Sequence, residues 1–138
     1  MYTKIFTILP QEAKNIRIEV FMKEQGFENE FDDIDTISHH IVVFDEGKPI
    51  GTCRFFKENN HYTIGRVAVL KEYRNQHIGN LLLESAENEI KKLNGDLIVV
   101  HAQVRVSPFY EKQGYIQFGQ IDDDEGVPHM WMKKKIQY

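Results

Sequence analysis

The stretch from Arg66 to Leu83 constrains the fold of this chain most, because it predicts a strand, a polar loop and an amphipathic helix in that order. A helix N-terminus presents unpaired backbone N–H groups and a partial positive charge, and both favour a bound phosphate. Arg74 lies just before the first predicted turn and Gly79 lies within it, where a missing side chain permits close approach. The stretch therefore predicts a site for the pyrophosphate of a nucleotide-like cofactor.

The segments around this stretch predict a mixed α/β sheet. The helix, from about His77 to Leu93, is followed by a continuous apolar strand from Asp96 to Ala102, as in a parallel pair with a right-handed crossover. Before it, three alternating or branched runs separated by turn residues predict an antiparallel meander: His40–Phe44, Ile50–Lys57 and Tyr62–Leu70.

The two ends of the chain add further elements. At the N-terminal end we expect a strand, a helix and an acidic loop, over Lys4–Leu9, about Gln11–Gln25 and Glu28–Asp35. At the C-terminal end we expect a short helix capped by Ser107 with Pro108 at its first position, then two strands, Tyr115–Phe118 and Met130–Ile136, joined by an acidic turn at Asp122–Gly126.

Composition limits the class of protein. A length of 138 residues predicts a single domain over residues 1–138, and 41% hydrophobic with 28% charged residues is ordinary for a globular protein. The net charge of -4 argues against a nucleic-acid partner, and no apolar run approaches the roughly 20 residues that span a membrane. The lone cysteine, Cys53, excludes an intrachain disulfide and favours a cytoplasmic location.

Three segments together resemble the GCN5-related N-acetyltransferase (GNAT) family, and most of all its small bacterial ElaA/YjcF-type branch. They are Arg66–Val69 followed by Arg74–Gly79, the segment Pro108–Tyr115, and the helix ending Val20–Gln25 taken with His40, Gln103 and Pro128-His129. The resemblance implies a GNAT-like fold, with a mostly antiparallel central sheet, one parallel strand pair and helices on both faces. It also implies an acetyl-CoA-dependent N-acetyltransferase.

The same resemblance implies where acetyl-CoA, the co-substrate, would bind. Its pantetheine arm would lie along the strand before the loop, where the backbone N–H of Ala68 or Val69 would polarise the thioester carbonyl. The implied cofactor-binding residues are Val67, Ala68, Val69, Arg74, Asn75, Gln76, His77, Ile78, Gly79, Asn80 and Gln103.

His77 stands where the family usually has glycine. A histidine would be strained if this position needed a positive φ, and it would fit if the backbone there were ordinary helix. We expect ordinary helical backbone at His77.

Tyr110 is the expected general acid, because a phenol with a pKa of about 10 can protonate a leaving thiolate whose conjugate acid has a pKa of about 8.5. Without the family context, Tyr110 would be interpreted as a core aromatic beside Phe109. Three side chains are alternatives for the general base, and a water relay is a fourth: Glu24, His40 and His129.

Several alternatives stay open at this stage. The chain could be a non-catalytic acyl-CoA-binding or regulatory module on the same fold. Arg54 and Arg66 either bind an acceptor carboxylate or are solvated, and the latter is commoner. No zinc-ligand or calcium-loop spacing is present, so we expect no metal. The acceptor is a small-molecule or peptide amine of undetermined charge, and a homodimer, common among relatives, stays open.

Overall fold

Seven strands form one mixed sheet in the computed structural model, which describes residues 1–28 and 30–138. The strand order across the sheet is β1-β2-β3-β4-β5-β7-β6. The strands are β1 (Tyr2–Phe6), β2 (His39–Asp45), β3 (Lys48–Glu58), β4 (His61–Val69), β5 (Leu97–Gln103), β6 (Ile116–Asp124) and β7 (Val127–Lys135).

Strands β4 and β5 are the one parallel pair, and α2 (Ile78–Lys92) crosses over between them. Every other neighbouring pair in the sheet is antiparallel. The parallel pairing is short, because it runs only from Tyr62 opposite Ile98 to Ile64 opposite Val100. The expected mixed sheet with one parallel pair is confirmed, and among the described residues the pairing of β4 with β5 stops at Ile64.

Helices cover both faces of the sheet. Successive residues of β2 alternate between the two faces, as strand geometry requires. Ile41 and Val43 join the core beneath α2, whereas Val42 and Phe44 join a second core beneath α1 (Gln11–Arg17). The short α3 (Ser107–Lys112) lies on the α2 side, where Tyr110 joins the first core. The expected two-sided arrangement is confirmed.

The first helix differs from its expected form in one respect. Its α-helical part ends at Arg17 and the chain continues as a π-helix over Ile18–Glu24. The expected extent to about Gln25 is therefore confirmed, but its second half is wound more widely. Such π-helical turns are rare and occur frequently at functional sites.

The structure also corrects one expected turn and one expected helix cap. The acidic residues before Glu125 belong to β6, so the turn to β7 consists of Glu125 and Gly126, both with positive φ. Ser107 is the first residue of α3 and makes no capping hydrogen bond, because Val106 occupies the cap position. The acidic loop expected over Glu28–Asp35 includes Asn29, which lies outside the described residues, and it ends in a short 3₁₀ helix at Asp33–Thr36.

Within the described part of the chain, no helix has both the length and the apolar character needed to cross a membrane.

Candidate active site

A bulge interrupts β4 directly after its last parallel pair. Thr52 of β3 is opposite Ala68, and Arg54 is opposite Gly65, so Cys53 alone faces both Arg66 and Val67. Arg66 has a φ of 52°, in the left-handed region. A bulge of this kind bends the strand and increases its twist. The ends of β4 and β5 are therefore free to border an opening.

A cleft of about 710 Å³ lies at this opening. One side is the end of β4, and the other sides are the start of α2 and the α3 segment with Phe109 and Tyr110. The expected cofactor residues that line it are Val67, Ala68, Val69, Arg74, Asn75, His77, Ile78, Gly79 and Asn80. Of the expected set, Gln76 and Gln103 are not in this lining. The structure thus brings the strand and the loop together around one cleft.

The expectation of ordinary helical backbone at His77 is wrong. Its φ is 61° and its ψ is 23°, and it is the residue before α2, without a side-chain capping bond. Asn75 is also left-handed, with a φ of 66°. The two left-handed residues turn the chain sharply from the loop into the helix. This conformation costs roughly 1–2 kcal/mol at His77 and less at Asn75, because asparagine adopts it more readily, so the loop conformation is held by its surroundings.

Gly79 is needed for packing of α3 on the start of α2. A Cβ atom placed on Gly79 would lie 3.1 Å from Cζ of Phe109 and 3.3 Å from Cε1. These distances are shorter than ordinary van der Waals contacts, so any side chain at position 79 would displace the ring. The missing side chain therefore allows the Phe109 ring to pack directly against the start of α2.

Arg74 and Glu24 form a bidentate ion pair at the edge of the cleft. Nη1 and Nη2 of Arg74 lie 2.6 Å and 2.7 Å from the two carboxylate oxygens of Glu24. Nε of Arg74 donates to the carbonyl of Val69 at 3.0 Å. The hydrogen bond from Arg74 lowers the pKa of Glu24, which makes Glu24 a weaker base.

A smaller cavity of about 140 Å³ adjoins the cleft. The two spaces share part of their lining: Gln25, Val67, Arg105, Val106 and Tyr110. Beyond the shared part, the smaller cavity is also lined by Phe27, Glu30, His101, Gln103 and His129. The junction of the two spaces is therefore at Val67 and Tyr110.

Tyr110 is buried at this junction, and its hydroxyl has no hydrogen-bond partner among the described residues. Burial raises the pKa of Tyr110, so its proton is retained at neutral pH. Tyr115, whose ring centroid lies 5.7 Å from that of Tyr110, instead donates its O–H to Glu87 at 2.8 Å. Of these two neighbouring tyrosines, Tyr110 has the hydroxyl that is available to a ligand.

His129 is buried and lines the smaller cavity. Its Nδ1–H donates to the carbonyl of Val127 at 2.8 Å, which leaves Nε2 with a free lone pair in the neutral ring. His101, which was not predicted as a site residue, lies beside it with ring centroids 4.8 Å apart, and bonds Asp122 through Nε2 at 2.7 Å. The only sequence signal for His101 was a polar residue in an otherwise apolar strand.

Neither His40 nor Gln103 is in the lining of the larger cleft. His40 is buried on β2, outside the lining of both spaces, and its Nε2–H donates to the carbonyl of Asp35 at 3.0 Å. Burial lowers the pKa of His40, and its position outside both spaces argues against the expected role as general base. Gln103 lines the smaller cavity, where its Nε2 donates to Oε1 of Gln25 at 2.8 Å.

Arg54 is buried and lines neither space, whereas Arg66 is half-buried and lines the smaller cavity. With Arg17 they form a partly buried ionic network that includes Glu30, Asp32 and Asp35. Burial alone would raise the pKa of Asp35, but hydrogen bonds from Arg17 and Arg54 outweigh it and lower the pKa to about 2. Burial raises the pKa of Glu30, which lines the smaller cavity.

Cys53 is a buried core residue, as expected, and burial raises the pKa of its thiol to about 12. Among the described residues, no three His, Cys, Asp or Glu side chains are grouped as a metal site requires, and the expectation of no metal stays a prediction.

Comparison with known proteins identifies the family. The family model described as acetyltransferase (GNAT) domain matches residues 8–136. The uncharacterized N-acetyltransferase YjcF of Bacillus subtilis (strain 168) is 33% identical over 127 residues, which cover 90% of this chain and 91% of that protein.

Solved structures share the fold. The crystal structure of Escherichia coli ElaA has a TM-score of 0.87 at 21% identity, covering 97% of this chain and 99% of that chain. An aminoglycoside 6'-N-acetyltransferase complexed with coenzyme A has a TM-score of 0.79 at 15% identity, covering 98% of this chain and 97% of that chain. The sequence matches and the mixed seven-stranded sheet together show that this chain belongs to the GNAT family and is an acyltransferase.

Proposed function

We propose that this protein transfers the acetyl group of acetyl-CoA to a primary amine by direct attack within a ternary complex. The observation that carries the proposal is the junction of the two spaces at Val67 and Tyr110. Acetyl-CoA would occupy the larger cleft and the amine the smaller cavity. Both substrates would then reach the same point without an acyl-enzyme intermediate.

The pyrophosphate would bind at the loop from Arg74 to Gly79. His77 provides no side-chain cap, so the backbone N–H groups of the first turn of α2 are left for an anionic ligand. Glu24 would compete with the pyrophosphate for Arg74 through the ion pair described above.

The pantetheine arm would lie along the end of β4. The N–H of Leu70 donates to the carbonyl of Ile50 at 2.9 Å, so Leu70 faces β3 with its backbone groups. Backbone groups alternate along an extended strand, so Ala68 also faces β3, whereas Val67 and Val69 face the cleft. The bond from Arg74 to the carbonyl of Val69 agrees with this direction. We therefore assign the polarising N–H to Val67, which borders both spaces, in place of Ala68 or Val69.

Side chains that line the two spaces supply both proton transfers of the reaction. The amine nitrogen attacks the thioester carbonyl, so a C–N bond forms and the C–S bond breaks. His129 Nε2, or a water bound to it, accepts the proton of the attacking amine, and the Tyr110 hydroxyl gives its proton to the departing sulfur. Because the Cys53 thiol is buried and has a raised pKa, an acetyl-cysteine route is disfavoured.

A thiol-release assay with acetyl-CoA across a panel of amines tests the proposal, alongside thermal unfolding with and without CoA. We expect CoA to raise the unfolding temperature and at least one amine to release free CoA. Stabilisation by CoA with no turnover on any amine would favour the non-catalytic binding module. No stabilisation by CoA would exclude the proposed cleft as its binding site.

A further inference from the structure

Arg66 has an unusual backbone conformation for its position. Among the described residues it is the one non-glycine residue within a strand whose φ is positive, at 52°. The other non-glycine residues with positive φ lie in turns or loops: Glu46, Asn59, Asn75, His77, Asn94 and Glu125. A residue that has a Cβ atom rarely adopts this backbone conformation unless its surroundings hold it there. Such residues concentrate at functional sites.

The Arg66 side chain is anchored by the chain segment that borders the smaller cavity. Its Nε lies 3.1 Å from the carboxylate of Glu30 and 3.1 Å from the backbone carbonyl of the same residue. Its Nη2 lies 3.4 Å from Oδ2 of Asp32. Both acids are held in turn, because Arg17 bonds Glu30 at 2.7 Å and Arg54 bonds Asp32 at 2.7 Å. The anchor is therefore itself fixed to α1 and to β3.

Arg66 directly precedes Val67, the residue of β4 that borders both spaces. Gly65 and Arg66 follow the last parallel pair at Ile64, and Val67 follows at once. The bulge at Arg66 thus sets where Val67 lies and in which direction its N–H points. A displacement of about 1 Å at a reacting group can reduce a rate by roughly 100-fold, so the anchor bears on catalysis as well as on stability.

We infer that Arg66 is a positioning residue for acyl transfer, whose contacts with Glu30 and Asp32 hold the β4 bulge and thereby aim the N–H of Val67 at the thioester carbonyl. The inference rests on the proposed function, since it concerns the same strand end. It also couples the wall of the smaller cavity to the acyl group in the cleft, because Glu30 both lines that cavity and holds Arg66.

Three substitutions at position 66 separate the side-chain anchor from the backbone conformation. Arg66→Lys keeps a cation within reach of Glu30, Arg66→Gly removes the anchor but accepts a positive φ, and Arg66→Ala removes the anchor and disfavours that φ. We expect kcat to fall roughly threefold, tenfold and 100-fold in that order. The KM for acetyl-CoA should change by less than about threefold, since the pyrophosphate loop is untouched.

A second readout reports on the bulge without any turnover. In the unliganded protein, the Ala68 amide faces β3, and its hydrogen exchange should be faster in Arg66→Ala than in the wild type. In ¹⁵N spectra, the shift that acetyl-CoA causes in the Val67 amide should be at least halved in the same variant. Lys57→Ala is the control, because it removes an exposed cation of β3 that is not one of the network residues, and it should leave the Val67 shift unchanged.

A failure of the proposed function and a failure of the role of Arg66 would give different results. A wild type that shows no acetyl-CoA-induced shift would contradict the proposed function, while exchange at Ala68 would still report on the bulge. Arg66→Gly with wild-type kcat would overturn the role of the anchor. Equal kcat values for Arg66→Gly and Arg66→Ala would overturn the role of the backbone conformation. Unchanged Ala68 exchange in Arg66→Ala would show that Arg66 does not hold the bulge.

Discussion

Two adjacent tyrosines differ in what their hydroxyl groups contact. Tyr115 donates to Glu87, whereas the Tyr110 hydroxyl has no partner in the described chain and lies where the two spaces meet. We predict that Tyr110→Phe lowers kcat by roughly 100-fold or more, the usual contribution of a general acid. CoA affinity, measured by calorimetry, should stay within about twofold, because the pyrophosphate loop is unchanged.

Tyr115→Phe is the matched control for Tyr110→Phe. It should lower the free energy of unfolding by about 1 kcal/mol through loss of the bond to Glu87, and leave kcat unchanged. A Tyr110→Phe enzyme with wild-type kcat would remove Tyr110 from its proposed role.

Because Glu24 is paired with Arg74, removing its carboxylate should strengthen CoA binding and not weaken it. Removing the carboxylate with Glu24→Gln should free Arg74 for the pyrophosphate and tighten CoA binding, by up to roughly fivefold, because partly exposed ion pairs are worth about 0.2–1 kcal/mol. Glu19→Gln removes an equal charge from the same π-helix without contacting Arg74 and should change affinity less. Calorimetry at two salt concentrations measures both variants, and weaker CoA binding in Glu24→Gln would contradict the assignment of Arg74.

At the scale of the elements, we predict that the contact between α2 and α3 sets the width of the cleft. Gly79→Ala should push Phe109 outward and raise the KM for acetyl-CoA by roughly 3- to 10-fold. Phe109→Leu in the same chain should relieve the overlap and recover part of the loss, which a double-mutant cycle on KM measures. Additive effects of the two substitutions would show that this contact does not set the cleft.

The 3₁₀ helix at Asp33–Thr36 is tied to the sheet by the Asp35 carboxylate. Because the folded-state pKa of Asp35 lies at about 2, below its ordinary value of 3.8, its contribution is present above pH 3.8 and is lost as the pH falls through 2. We predict that Asp35→Asn destabilises the protein at pH 7 by about 1–2 kcal/mol. Chemical unfolding at pH 7 and pH 2.5 should show this difference shrinking at the lower pH, and a difference that does not change with pH would contradict the assignment.

Periodicity and turn residues predicted the helices and strands of this chain well. They predicted the backbone conformation at individual residues less well. The apolar stripe of α2 and the run Leu97–Val100 specify a helix and a buried strand from local pattern alone, and both are confirmed. The bulge at Arg66 depends on the register between β3 and β4, which no local pattern encodes. The left-handed backbone at His77 was missed because glycine, the usual signal for it, is absent.

At the scale of the whole molecule, the site is assembled from segments far apart in the chain. The motifs around Arg74–Gly79 and Phe109–Tyr110 could be placed on one cleft through their resemblance to a family. The ionic network could not be predicted, because Arg17, Glu30 and Arg54 meet only after the sheet and α1 have packed. The same holds for His101, which approaches His129 only when β5 pairs with β7.

Under the proposed function, both substrates meet at Val67 and Tyr110, where the two spaces join. Two-substrate initial-rate kinetics test this meeting most directly. With acetyl-CoA and the best amine from the panel varied against each other, direct attack in a ternary complex predicts double-reciprocal lines that intersect. Incubation with acetyl-CoA alone should leave the protein unacetylated by mass spectrometry. Parallel lines together with a covalently acetylated protein would contradict the account.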